Sequence, residues 1–435
     1  MMKLLHTDTL QEAREKLERH TQSFPVQVKW VKSREARNRV CACDVYAGEN
    51  VPSFRRSTVD GFAVLAEDSF GAGESNPVFL EVAERIPIEK KARIPLESGQ
   101  AAQVQTGSMI PEGAAAVVMA EYCEAYAADK ILVNKSVSAG ENIAQIGEDI
   151  RKGERLIRRG QKITSREIGM LASLGIKKVL VAEPFTVTII STGDELTDPE
   201  EGGMEEDGTT KEQTEENGSM PESRIRDINS WSLAALAEEN GFLVRECIRT
   251  GDVESDICQA VLRGSEQSDI VVLSGGSSKG EKDYSLSALE QAAGTILTHG
   301  ISIKPGKPTI LACDQKRQTI LAGLPGHPLA AWLMFRLLLC DWQEKKLGLP
   351  KKRLLPAVMQ ENVSSNQGRE TCLLVRLQEV REEEEEMGAG VLYGACPVYT
   401  KSGSISSLSR ADGFLLIPRN REGLKKGERV YVELW

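Results

Sequence analysis

Several short segments carry residues suited to holding anions and hard cations. SGGSSKGEKD, Ser274 to Asp283, follows an apolar run and joins Gly275 and Gly276 to Ser277, Lys279 and Asp283. Paired glycines at a strand end let backbone N–H groups turn toward an anion without Cβ interference, which suits a phosphate or oxyanion. The same residues would equally make a plain strand-to-helix turn. STGDEL places Asp194 and Glu195 after another apolar run, and TGD places Asp252 after a third. Asp194, Glu195 and Asp283 are hard oxygen donors of the kind that hold Mg2+ bridged to phosphate oxygens, although GDEL also reads as a helix cap. KPGKP offers Lys304 and Lys307 as point charges for phosphate. GLPGHP, with Pro325, Gly326 and His327, leads into a helix whose proline-started first turn presents free N–H groups. Each motif alone is a weak signal. Together they describe a site for a phosphate and a divalent cation.

The elements that must position these residues follow a βα rhythm from Phe185. FTVTIIS, FLVRECIR, DIVVLS and TILAG read as strands. INSWSLAALAEEN, VESDICQAVLRG, YSLSALEQAA and PLAAWLMFRLLL read as helices, with Asn229 the expected N-cap of the first. Such alternation predicts a doubly wound, mostly parallel α/β sheet. Its carboxyl strand ends, where ligands bind in open α/β sheets, are the places that carry the motifs above. Before it, Val51 to about Glu148 alternates short apolar stretches with Gly and Pro and predicts a β-rich domain. Helical periodicity opens the chain at Asp8 to Arg19, and TSREIGMLASLG reads as a capped helix ending near Gly175. From Pro350 short strands and turns return, predicting a separate C-terminal β-domain. The expected division is 1–51 with 149–182 as a discontinuous helical and linker domain, 52–148, 183–348 and 349–435.

Bulk properties narrow the class. The 435 residues are 40% hydrophobic and 27% charged, as in a soluble globular chain of several domains. The N-terminus lacks a secretory apolar core, and the longest apolar run, Pro328 to Cys340, is too short for a membrane span and is interrupted by Arg336. Nine scattered cysteines with one CxC pair and no zinc-type spacing point to reduced thiols in the cytoplasm. The net charge is −10, and Asp198 to Glu222 accounts for nearly all of it, with ten acids and one lysine. Nucleic-acid binding is therefore not indicated. That stretch is expected to be a solvated surface loop, and REEEEEMGAG from Arg381 a hairpin tip.

Along the chain, in order, occur PSFRRSTVDGFAV (Pro52 to Val64), TGSMIPEGAAAVV (Thr106 to Val118), GEDIRKGERLIRRG, STGDEL, DIVVLSGGSSKGEKDYS and IKPGKP followed by LAGLPGHPLAA. This series closely resembles the molybdopterin molybdenumtransferase family, to which the gephyrin E domain is related, over nearly the whole chain. The resemblance implies a four-domain, elongated homodimer that inserts molybdate into adenylylated molybdopterin with release of AMP, aided by Mg2+. It implies catalytic positions at Asp60, Thr106, Asp149, Glu195, Asp252 and Asp283, with Glu195 and Asp283 on the metal. It implies substrate contacts from Lys304 and Ser404, which join Gly275, Gly276, Ser277, Lys279, Lys307, Pro325, Gly326 and His327, read from their own chemistry, in a cleft expected between the sheet domain of one subunit and the Asp60 domain of the other. Taken alone, VDGFA is only an Asp-Gly turn. Lys279 stands where the family usually has an aliphatic residue, His327 where it has Asn, and the acidic insertion is longer than usual. Two other functions remain in view. One is adenylylation of the pterin. The other is a gephyrin-like scaffold or cofactor carrier serving a molybdoenzyme or another biosynthetic partner.

Overall fold

The computed structural model describes residues 7–200, 224–275, 284–365, 367–379, 393–399, 401 and 403–435. The chain divides into two compact units, one of Met1–Lys29, Asn38–Val40 and Ala182–Trp435, the other of Trp30–Arg37 and Cys41–Val181. The fold is multidomain, α/β plus β, as the sequence leads one to expect.

In the first unit, the sheet comprises β1 (Thr186–Thr192), β2 (Leu243–Thr250), β3 (Ile270–Gly275), β4 (Thr295–His299), β5 (Ile310–Asp314) and β6 (Thr319–Leu324), in spatial order 2-1-3-6-5-4. Strands 2, 1, 3 and 6 are parallel, whereas β5 runs antiparallel to β6 and β4 antiparallel to β5. Both faces are covered, so the middles of the inner strands are apolar on both sides, with polar residues such as Thr188, Ser191 and Ser274 buried among them. Ile189, Ile270 and Val272 pack with Leu233, Leu236 and Phe335 on one face. Ile190, Val271 and Leu273 pack with Ile257, Val261 and Leu289 on the other. The helices that flank it include α1 (Leu10–His20), α2 (Ile228–Glu239), α3 (Glu254–Gln267), α4 (Tyr284–Ala293) and α5 (Pro328–Met334), the last continuing as a helix through Phe335–Cys340 and Asp341–Leu347. Thr9 and Glu12 form a capping box at α1, whose Leu10, Ala13 and Leu17 join the first core face. The N-cap of α2 is Asp227, which accepts from the Ser230 N–H at 3.0 Å, so the expected cap at Asn229 is corrected by two residues.

The apolar run after Pro328 is a buried helix, as expected. Its Arg336 is buried and ion-paired with Glu433 and with Glu344 at 3.3 Å, which meets the requirement that a buried charge be paired. The C-terminal sheet, Leu355–Met359, Glu370–Glu379, Tyr393–Pro397, Gly413–Ile417 and Arg429–Leu434, has its own apolar core. It also recruits a two-residue strand, Ile303–Lys304, whose Lys304 lies in parallel register with Thr371.

The second unit holds a six-stranded sheet built from Gly61–Val64, Val78–Ile86, Gln100–Val104, Ala116–Met119, Cys123–Ala127 and Lys130–Val133. Ala63, Ala102 and Val117 pack on one face, and Val64, Ala101 and Val118 on the other. The capped helix is present at Ser165–Ser173, with Thr164 and Glu167 as its capping box. None of the helices among the described residues is long and apolar enough to cross a membrane. Most of the acidic stretch after Asp198 and the run from Arg381 lie outside the described residues.

Candidate active site

The carboxyl ends of the parallel strands bring several of the expected residues to one sheet edge. Gly275 is the last residue of β3 and lies in register with Thr192 of β1. Its φ is +119°, and a Cβ there would stand 2.3 Å from the Thr192 carbonyl oxygen and 2.7 Å from Thr192 Oγ1. Only glycine fits, because the neighbouring strand end already fills the space a side chain would take. Gly276, Ser277, Lys279 and Asp283 lie outside the described residues.

Beside Gly275, the ends of β1 and β2 gather carboxylates. Asp194 Oδ1 accepts from the Asp252 N–H at 3.0 Å. Burial, and then the charges of Glu195 and Asp194, raise the Asp252 carboxyl above its ordinary range. Mutual repulsion of this kind is relieved by a cation. Among the described residues no three His, Cys, Asp or Glu side chains form a complete metal cage. The donors at this edge fit Mg2+, which takes one or two carboxylates and fills its remaining positions with water and substrate phosphates.

A cleft of about 820 Å³ opens between the end of β6 and the C-terminal sheet. Among the described residues its walls carry Lys304, Lys307, His327, Arg369 and Lys401 and no carboxylate. Gly306, between the two lysines, has φ +127°, and a Cβ there would reach within 2.3 Å of Met334 Sδ. The Lys-Pro-Gly-Lys turn therefore lies flat on α5, and Lys304 and Lys307 are both exposed. Gly403 lies against His327, its added Cβ falling 3.7 Å from the imidazole Cδ2. The next residue, Ser404, donates its N–H to the Lys401 carbonyl at 2.9 Å, so the Ser404 turn sits beside His327. The sequence reading missed Arg369, Lys401, Asn362 and Tyr399, which line the same cleft from the C-terminal sheet and its loops. None belongs to a recognisable local motif; only the pairing of Ile303–Lys304 with Glu370–Glu379 brings that side near the lysines.

In the second unit, Gly61–Val64 pairs antiparallel with Gln100–Val104, Gly61 opposite Val104. That register carries Asp60 to Thr106. Asp60 Oδ1 accepts from the Thr106 backbone N–H at 2.6 Å and from its hydroxyl at 2.9 Å. These two donors, the backbone one first, hold the exposed Asp60 carboxyl below its ordinary range. Thr106→Val removes one donor and leaves the other, so the Asp60 carboxyl is expected to titrate at higher pH than in the wild type. Carbon-13 NMR of the carboxyl reads this, and an unchanged titration would show that the hydroxyl contributes nothing. Asp149 instead lines a cavity of about 450 Å³ with Glu154, Arg155 and Met170, which neither Asp60 nor Thr106 borders.

Comparison with known proteins gives a consistent picture. Residues 8–175 match the family described as "MoeA N-terminal region (domain I and II)". Residues 188–344 match "Probable molybdopterin binding domain", and residues 356–435 match "MoeA C-terminal region (domain IV)". The chain is 32% identical to the molybdopterin molybdenumtransferase of Haemophilus influenzae over 75% of this chain and 74% of that protein. It is 29% identical to the molybdopterin molybdenumtransferase of Bacillus subtilis over 94% and 90%. The crystal structure of the molybdopterin biosynthesis moeA protein of Pyrococcus horikoshii superposes with a TM-score of 0.78 at 30% identity, covering 99% of this chain and all of that one.

Proposed function

The chain belongs to the MoeA family of molybdopterin molybdenumtransferases, enzymes of molybdenum cofactor biosynthesis, and on that premise we propose that it inserts molybdate into adenylylated molybdopterin with Mg2+-dependent release of AMP. The observation that carries this reading is the cleft at the end of β6, with four Lys and Arg side chains and no acid among the described residues that line it. Such a lining suits a substrate that is anionic along its length and an oxyanion that joins it.

In this reading Lys304 and Lys307 hold the substrate's phosphates, while Arg369 and Lys401 extend the positive wall. Pro325 and His327 shape the opposite side, with Gly326 and Ser404 beside them. Gly275 ends β3 at this sheet edge, and Gly276, Ser277 and Lys279, which follow it in the sequence, are taken as further contacts to the substrate's phosphates. Glu195, with Asp283, holds the cation and Asp252 adjoins it. Bound Mg2+ would neutralise charge on the phosphoanhydride as it breaks. The residues supply position and charge neutralisation, the main contributions in phosphoryl chemistry. Asp60, oriented by Thr106, and Asp149 would complete the site from a second subunit, so the working form is a homodimer in the cytoplasm that passes its product to a molybdoenzyme or another biosynthetic partner.

The test is to add molybdate and Mg2+ to the protein with adenylylated molybdopterin and measure AMP. AMP formed in step with molybdate consumed supports the reading, and a native mass of two chains supports the assembly. No AMP, with adenylylated pterin formed from ATP and molybdopterin instead, would make the protein an adenylyltransferase. Tight pterin binding without either reaction would make it a carrier.

A further inference from the structure

Asn229, which the sequence suggests as a cap, does something else. It sits in the first turn of α2 and is 9% exposed. Its Nδ2 donates to Ser274 Oγ at 2.8 Å and to the Gly326 carbonyl at 2.9 Å. Ser274 Oγ in turn donates toward the Pro325 carbonyl at 3.4 Å. The pattern fixes the amide's orientation: a carbonyl accepts only, so Nδ2 and not Oδ1 must face Gly326. One side chain thus spends both its protons tying the end of β3 to the turn after β6. The two segments also touch directly, a Cβ on Gly326 falling 3.6 Å from Gly275 Cα.

We propose that Asn229 is a positioning residue that sets the spacing between the end of β3 at Gly275 and the Pro325–His327 turn, and so the placement of the Pro325–His327 wall of the lysine-lined cleft. For the transferase reaction this rests on the function proposed above. Asn229 Oδ1 and the nearby Thr192 Oγ1 are buried and have no hydrogen-bond partner. An asparagine whose acceptor is idle while both donors are engaged is held there for its donors. Aspartate, of the same shape, would turn an acceptor toward the Gly326 carbonyl, which cannot donate, and push the two segments apart.

The test uses the full-length protein and two variants. Asn229→Leu removes both donors. Amide hydrogen exchange at Gly275 and at Gly326–His327 is expected to quicken by about tenfold, the effect of one ordinary net hydrogen bond, while β2 and α3 exchange as before. KM for adenylylated molybdopterin should rise by a similar factor with kcat little changed. Asn229→Asp is expected to match Leu at neutral pH. It should regain protection at these two turns as the pH falls through its own carboxyl titration, because the neutral acid donates one hydrogen bond again. Unchanged exchange at both turns, exchange quickened evenly through the first unit, or an Asp variant without this pH dependence would each overturn the proposal. The exchange measurements need no substrate. If the wild type released no AMP, the transferase reading would fail while the spacing role was still decided.

Discussion

Glu195→Ala is expected to cut AMP release by about a hundredfold to a thousandfold, the usual loss when a group that neutralises transition-state charge is removed. The fold should be untouched, since the Glu195 side chain is exposed at the end of β1. Asp283→Ala should behave in the same way if both carboxylates hold the cation. A second readout separates a cation site from a merely acidic surface. Glu195 is the larger of the two charges that raise Asp252, after burial itself. Its removal should let the Asp252 carboxyl fall back toward the ordinary range, and Mg2+ added to the wild type should lower it in the same direction. Full activity in Glu195→Ala would remove this carboxylate from the mechanism. An Asp252 titration indifferent to Mg2+ would place the cation elsewhere.

Gly275→Ala should be strongly damaging to the first unit. The added carbon would stand 2.3 Å from the Thr192 carbonyl oxygen, on a backbone with φ +119°. Neither the partner strand nor the φ can yield without breaking the register of β1 with β3. A cost of about 2–4 kcal/mol is expected, from strain and lost pairing together. Thermal unfolding of the first unit should shift down, and binding of adenylylated molybdopterin should fail well below that temperature. A variant with wild-type unfolding and binding would mean that the turn relaxes freely and that glycine is not needed there.

Much of this architecture was legible in the sequence, for reasons that differ by element. The parallel strands announce themselves because both faces of the sheet are covered, and continuous apolar runs such as DIVVLS have no other use in a short element. The antiparallel edge was harder to see. ILACD is as apolar as a parallel strand, and direction is not encoded in hydrophobicity. It is encoded in the tight turn after it, where Asp314 accepts from the backbone of Lys316 and Arg317 and Gln318 has a positive φ. The pairing of Asp60 with Thr106 could not be read from either motif, because it depends on the strand register between them. Arg369 and Lys401 were invisible for a related reason: each is an ordinary surface cation until two sheets place it opposite the Lys-Pro-Gly-Lys turn. Asn229 was misread because an asparagine before an apolar helix usually caps it, and Asp227 two residues earlier had already done so.

The little strand Ile303–Lys304 bears on how such a chain can be recombined. The sequence invites a cut near residue 349, with an α/β module on one side and a β module on the other. Lys304, however, hydrogen-bonds into the sheet on the far side of that cut. A module ending at 348 would keep the lysine but lose the scaffold that aims it, and would leave a loose strand seeking another edge. A foreign C-terminal sheet grafted in its place would have to offer the same two-residue docking position. The two parts are therefore not interchangeable cassettes. Any natural or engineered exchange across this junction must carry Ile303 and Lys304 with the sheet they join.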